Sequence, residues 1–291
     1  MTVSSVSTER AADALPDVRA RQPHVGRWIQ AVVLALVIVI VVHTIFFSPN
    51  LQPSVIAQSL FSPRILEGLG NTLLIAVVAQ VLALLIGVPV GFMRVSANPV
   101  SRTGSWLYLW IFRSTPLIVQ ILLWGNLALF LPNLVLGVPF TAVTWLSVPT
   151  NVVMTAFVAS VIALGLHDGA YIAEIVRSGV LSVGDGQRDA AAALGLSWWQ
   201  TQRTVVLPQA LRVMIPPAGS AFVLLLKSTS MVVVIAGGDL LTEAQNISST
   251  NLRTVELLIV ATIWYLLVTS IAAAGQALLE RRFSRSDRRR R

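Results

Sequence analysis

NTLLIAVVAQVLALLIGVPVGFM, residues 71–93, contains no Asp, Glu, Lys or Arg. A helix rises about 1.5 Å per residue, so a run of this length crosses the roughly 30 Å of hydrocarbon in a bilayer. Lipid offers the backbone no hydrogen bonds, so a spanning run satisfies its own N–H and C=O groups by forming a helix. Five more apolar runs follow the same pattern: Trp28–Phe47, Trp106–Leu131, Asn151–Ile172, Ala218–Ile235 and Thr254–Leu279. The sequence therefore predicts an all-α polytopic membrane protein with six transmembrane helices. Composition agrees: 55% of residues are hydrophobic, 12% are charged, and the mean hydropathy is +0.76. A soluble domain carries about 25% charged residues.

Trp28–Phe47 is longer than the ~7–15 apolar residues of a signal peptide. Ser48-Pro49-Asn50 makes a poor cleavage site, so this run reads as a retained anchor behind a polar, flexible segment, 1–27. The cations test the topology. With the first residues placed in the cytoplasm and the spans alternating, 17 of the 21 Lys and Arg fall on the cytoplasmic side. Only Arg64 and Arg253 fall outside, and Arg113 and Lys227 lie within spans. This asymmetry is the positive-inside pattern of a plasma-membrane protein, here with both termini cytoplasmic. Residues 132–149 are apolar, but Pro132, Pro139 and Pro149 argue against a continuous helix. A seventh span there would also turn the arginines of 173–216 outward. The expectation is an outer-surface segment dipping into the membrane interface.

Several function classes drop out. Cysteine is absent, and His24, His43 and His167 are far apart, so no metal cluster or cysteine nucleophile is available. No G-x-x-x-x-G-K-[ST] loop occurs, and the sole lysine, Lys227, follows Leu226, so the chain builds no P-loop nucleotide site of its own. No paired carboxylates mark an enzyme. The net charge of +8 and the seven arginines of Arg281–Arg291 suggest a polyanion. That run starts directly behind a span, where anionic lipid headgroups contribute about 1 kcal/mol per charge, so lipid is the expected partner and nucleic acid is not.

The polar stretch 173–216 contains Asp189-Ala190-Ala191, then three residues, then Gly195, then nine residues and Val205-Val206-Leu207-Pro208. Gln187–Leu194 is alanine-rich and favours a helix. Gly195 suits the left-handed position just past its end. Ser197 suits the cap of a second helix, Trp198–Val206, which Pro208 is expected to stop. The result is a helix–glycine–helix hairpin. Asp189 is expected to fix it through a helix N-terminus or a salt bridge.

This spacing resembles the EAA loop of bacterial ABC-importer permeases: Glu-Ala-Ala, three residues, Gly, nine residues, Ile, one residue, Leu-Pro. Asp189 stands for the usual Glu and Val205 for Ile. Asn71-Thr72-Leu73, the run Phe112–Gln120 (FRSTPLIVQ), the run Gly169–Arg177 (GAYIAEIVR) and Leu226–Ser230 (LKSTS) resemble polar amino acid permeases of the histidine/glutamine/glutamate type. The resemblance covers about 65–283, a five-helix core, with the helix of 28–47 extra and 284–291 a basic tail. It implies a dimer with a second, identical or paralogous permease, two ATPase subunits that bind ATP and Mg, an extracytoplasmic substrate-binding protein, and an amino acid substrate moved by alternating access. It assigns ATPase docking to Asp189, Ala190, Ala191, Gly195, Leu196, Leu207 and Pro208. A gradient-driven secondary transporter or channel is the alternative.

The candidate substrate pathway is Arg113, Thr115, Gln120, Asp168, Lys227 and Ser230. Arg113, Pro116 and Gln120 recur at i, i+3, i+7, one helical face. Arg113 either faces substrate or pairs with Glu174, which itself is spaced to pair with Arg177. Lys227, taken as mid-span, costs at least ~2.5–3.5 kcal/mol unless it faces water or protein. Asp168 either sits near the headgroups or meets a substrate amino group.

Overall fold

The computed structural model describes residues 25–46, 51–137 and 144–288. The flexible segment expected at 1–27 lies almost wholly outside what is described; of the basic tail expected at 284–291, residues 284–288 continue the last helix and 289–291 lie outside what is described. The chain divides into two compact units, residues 1–51 and 52–291. In the first, α1 (Val25–Phe46) is a 22-residue helix whose described side chains are all exposed.

The second unit starts with a short helix, α2 (Pro53–Leu60), and a long one, α3 (Pro63–Arg94). Next come α4 (Pro99–Ser114), α5 (Leu117–Gly125) and one turn, α6 (Leu127–Phe130). Strands β1 (Asn133–Gly137) and β2 (Thr144–Pro149) pair antiparallel. A turn, α7 (Thr150–Val153), leads to α8 (Ala156–Leu181). Then come α9 (Asp185–Ala193), α10 (Trp198–Thr201), a π turn (Gln202–Val206) and α11 (Leu207–Ser228). A 3-10 segment (Thr229–Ile235), α12 (Leu240–Asn251) and α13 (Thr254–Arg288) complete the chain.

The fold is all-α, with one β-hairpin added. Among the described residues four helices are long and apolar enough to cross a membrane: α3, α8, the run Trp198–Ile235 and α13. The α4–α5 pair makes a fifth, broken by a 98° bend. The expected straight span Trp106–Leu131 is therefore corrected. Pro116 has no N–H and biases Thr115 away from helical geometry; Thr115 is extended, with ψ 136°. The shared face expected for Arg113, Pro116 and Gln120 is lost at this bend.

Helix α8 is central. Its most apolar stretch is 61% buried, against 22–28% for the other three single spans. It packs most extensively on α3, where Ala79, Ala83, Gly87 and Gly91 recur every four residues. Small residues at this spacing let helix backbones approach in a membrane. A Cβ on Gly87 would lie 2.5 Å from the Gly169 carbonyl, and one on Gly91 would lie 2.6 Å from Val176 Cβ.

A second anchor is polar. Asp239 is fully buried and caps α12, accepting from Leu241 N–H at 3.0 Å and Thr242 N–H at 3.4 Å. Tyr265 of α13 donates to it at 3.4 Å, and Thr72 of α3 accepts Leu240 N–H at 2.9 Å. Burial pushes the Asp239 carboxyl above its ordinary range, and the hydrogen bonds it accepts from Thr242, Leu241 and Tyr265 oppose the shift.

Candidate functional site: a hairpin coupled to a cavity

The hairpin follows α8 directly. At the end of α9, Gly195 has φ +76°. Its N–H donates to Ala192 at 2.9 Å, and Leu196 N–H donates to Ala191 at 3.1 Å. This crossed pair is a Schellman closure, which needs a left-handed residue and so favours glycine. Ser197 then starts α10 with a reciprocal capping box: Gln200 N–H donates to Ser197 Oγ at 3.4 Å, and Ser197 N–H donates to Gln200 Oε1 at 2.8 Å.

Two expectations change. Asp189 is exposed, and among the described residues it makes no hydrogen bond or ion pair. The tether is its neighbour Arg188, which reaches Val180 O at 2.9 Å and Asp185 at 3.1 Å. Arg188 points back along the connection to α8, whereas Asp189 sits on the outer side of α9. Pro208 also fails to stop the helix. Residues 202–206 widen into a π turn, Leu207 N–H bonds Gln202 O five residues back, and α11 continues with Pro208 in its first turn, where no N–H is needed. The amide of Gln209 then donates to Val205 O at 2.9 Å. The hairpin is thus shorter than the 173–216 stretch suggested, because α8 runs on to Leu181 and α11 begins at Leu207.

Of the docking candidates, Asp189, Ala190, Gly195, Leu207 and Pro208 are exposed, Leu196 is half-buried and Ala191 is buried. Leu194, Trp198 and Trp199 are also strongly exposed and give the hairpin an apolar rim. Val183 and Val206, at its two roots, are buried in one cluster with Ile172, Val176, Val180 and Met214. The hairpin is therefore rooted in the α8–α11 core, where a Cβ on Gly179 would lie 2.3 Å from Met214.

The same two helices wall a cavity of about 580 Å³, closed on one side by Arg113 and Leu117. Helix α8 contributes Leu164, His167, Asp168, Tyr171, Glu174, Ile175 and Ser178, spaced to fall on one face. Helix α11 contributes residues from Val213 to Ser228, with Ser220 and Ser228 as its hydroxyls. The walls are mostly apolar, and the charged groups converge from α4 and α8.

Glu174 accepts both nitrogens of the Arg177 fork, at 2.6 and 3.0 Å, and lies 4.0 Å from Arg113. The Arg113 guanidinium stands 5.3 Å above the Tyr171 ring. With one carboxylate shared between two guanidiniums, Arg113 keeps donors to offer. Asp168 is 7% exposed, and its Oδ2 has no hydrogen-bond partner among the described residues. A buried polar atom left without a partner is costly.

Of the six expected pathway residues, the structure brings Arg113 and Asp168 to the cavity. Thr115 and Gln120 lie just behind it and lock the bend. The Gln120 amide is 2.8 Å from Thr115 Oγ1, 3.0 Å from the Phe112 and Thr115 carbonyls, and 3.1 Å from His167 Nδ1. Lys227 and Ser230 do not line it. Lys227 is exposed, and the Ser230 hydroxyl turns back to the Lys227 carbonyl at 2.9 Å. Lys227 lies eight residues before the far end of its helical run at Ile235, on the outside of the helix and away from the cavity. Tyr171, Glu174 and Ser178 were missed as cavity residues; their signal was the helical spacing from Asp168.

Residues 83–285 match the family described as binding-protein-dependent transport system inner membrane component. The arginine transport system permease protein ArgU of Corynebacterium glutamicum is 36% identical over 91% of this chain and 83% of its own length. The glutamine transport system permease protein GlnP of Escherichia coli is 33% identical over 76% and 93%. A crystal structure of an amino acid ABC transporter with histidines superimposes with a TM-score of 0.64, at 31% identity, over 76% of this chain and 94% of that one. The inward-facing MetNI methionine ABC transporter, at 18% identity and a TM-score of 0.60, shares the fold. The chain thus belongs to the binding-protein-dependent transport system inner membrane components, the multi-pass permease subunits of ABC importers, in which ATP is hydrolysed by a separate subunit.

Proposed function

We propose that this permease carries a polar amino acid across the plasma membrane through the α8–α11 cavity, and that the 182–206 hairpin couples the cavity to ATP hydrolysis. One observation carries the proposal: hairpin and cavity are built on the same two helices and share one packed cluster. Displacing the hairpin displaces the cavity walls. A zwitterionic amino acid presents a carboxylate and an ammonium. Arg113 offers a guanidinium to the first, and the unpartnered Asp168 oxygen offers an acceptor to the second. Charge-assisted contacts of this kind contribute about 1.5–3 kcal/mol each.

The full assembly in this proposal has two permeases, identical or paralogous, two ATPase subunits holding ATP and Mg, and an extracytoplasmic binding protein. Residues 65–283 form the permease domain, and Asp189, Ala190, Ala191, Gly195, Leu196, Leu207 and Pro208, with the tryptophan rim, meet the ATPase. In this proposal both ends of the sequence lie in the cytoplasm, a reading supported by the arginine distribution. Lys227 and Ser230 flank the cavity wall on a surface that a second permease would cover.

The test is uptake of a panel of radiolabelled amino acids into proteoliposomes holding permease, ATPase and binding protein. Uptake should require internal ATP and persist with an uncoupler. Uptake that survives without ATP and collapses with the uncoupler would make the protein a gradient-driven transporter. Asp168→Asn should raise the substrate concentration for half-maximal transport roughly ten-fold or more, matching one lost charge-assisted contact.

A further inference from the structure

The β-hairpin of 133–149 plays no part in the coupling or the cavity. It lies at the end of α8 opposite the coupling hairpin, since β2 leads into α8 through α7 and α9 follows α8 at Leu181. From Leu131 to Thr155, the connection between α6 and α8, the sequence contains no Asp, Glu, Lys or Arg. A loop of this length in water carries charge at about a quarter of its positions.

Successive residues on a strand point to opposite faces. Val135 and Leu136 are neighbours on β1, and Trp145 and Leu146 are neighbours on β2, so both faces of the hairpin are apolar. Both faces are also uncovered: Leu136 is 63% and Trp145 73% exposed. The register slips between Leu136 and Gly137, so Trp145 opposes no residue of β1. This apolar surface continues at both roots of the hairpin into exposed Leu129 and Phe130 before it and Val152 after it. A site for a soluble partner is expected to be apolar at its centre and polar at its rim, on one face. Here neither face has a charged rim.

The backbone sets the depth. In a two-stranded hairpin each strand has one paired edge and one free edge, and free N–H and C=O groups are not tolerated in hydrocarbon. The apolar side chains reject water and the strand edges reject hydrocarbon. The headgroup layer satisfies both, and it is where tryptophan concentrates. We infer that the paired strands 133–137 and 144–149 form a lipid-binding element that lies in the headgroup layer at the end of α8 remote from the coupling hairpin. Its ligand is the glycerol and upper acyl region of the bilayer.

The chain has no cysteine, so a single probe is placed cleanly. Trp145→Cys carries an environment-sensitive fluorophore in the assembled transporter in proteoliposomes, and Asn246→Cys, exposed on α12, serves as the water-facing reference. Trp145→Cys should be quenched most by lipids brominated near the headgroup, less by lipids brominated at the chain ends, and little by aqueous iodide. Stronger quenching by iodide would place the hairpin in water and overturn the inference. Stronger quenching from the chain ends would place it in hydrocarbon and also overturn it. Indifference to all three, or emission that shifts when binding protein is added, would mean that protein covers the hairpin, and would overturn it too. Leu136→Asp with Leu146→Asp should move the probe toward water with transporter assembly intact. An unmoved probe would show that the apolar side chains do not hold the hairpin there.

Discussion

Replacing Gly195 isolates the coupling hairpin from everything else in the protein. Its φ is +76°, and a Cβ there would meet no atom within 4 Å. A substitution therefore changes backbone preference alone. A left-handed conformation costs an ordinary L-residue about 1–2 kcal/mol, somewhat more for a β-branched one and less for Asn. One to two kcal/mol lowers the population of the Schellman-closed hairpin roughly 5- to 30-fold relative to its alternatives. The membrane fold should be untouched, because the glycine is exposed and Val183 and Val206 hold the roots of the hairpin. The expected order of ATP-driven uptake is wild type, then Gly195→Asn, then Gly195→Ala, then Gly195→Val, at equal membrane levels. The assay measures uptake and ATP hydrolysis in proteoliposomes, with binding-protein stimulation as the readout of coupling. Full stimulation in Gly195→Val, or Gly195→Asn as damaged as Gly195→Val, would refute the argument that hairpin geometry carries the coupling.

Gly87→Leu should abolish folded protein in the membrane, because its Cβ would lie 2.5 Å from the Gly169 carbonyl; size-exclusion chromatography after mild extraction reads the loss. Asp239→Ala should lower thermal stability by about 0.5–2 kcal/mol through the lost cap, and Asp239→Asn by less. Because burial raises the Asp239 carboxyl above its unfolded value, its contribution is fullest at low pH and is lost as pH rises through the raised value. Asp239→Asn should therefore compare better with wild type at neutral pH than under acid, as read by Tm. A cysteine at Ser182 should be labelled only after permeabilisation and one at Asn246 from outside; outside labelling at Ser182 would overturn the proposed orientation.

The transmembrane core was legible because apolar runs of about 20 residues have one solution in lipid. The Gly195 turn and the Ser197 cap were equally legible, since each rests on a backbone requirement met by few residue types. What escaped were the places where a neighbour supplies what a local rule says is missing. Glu174 and Arg177 looked like the start of a polar loop, yet their pairing lets α8 run on to Leu181. Pro208 looked like a stop, yet the π turn accommodates it. The bend at Thr115–Pro116 was hidden by hydropathy averaging, which sees composition and not direction. Asp168 could be singled out as a charge in a span, but its missing partner is a property of three packed helices.

The continuity of the run from Trp198 to Ile235 has a mechanical consequence. In the proposed coupling those residues would act as a lever whose handle is the tryptophan pair and whose far arm forms one wall of the cavity. At about 1.5 Å per residue, the arm from Trp198 to Pro217 is close to 30 Å long. A few degrees of tilt at the handle therefore become a displacement of an ångström or two at the wall. Besides the π turn at 202–206, the run has a second interruption beside the cavity. Pro216 and Pro217 remove two successive backbone donors inside α11, beside the cavity.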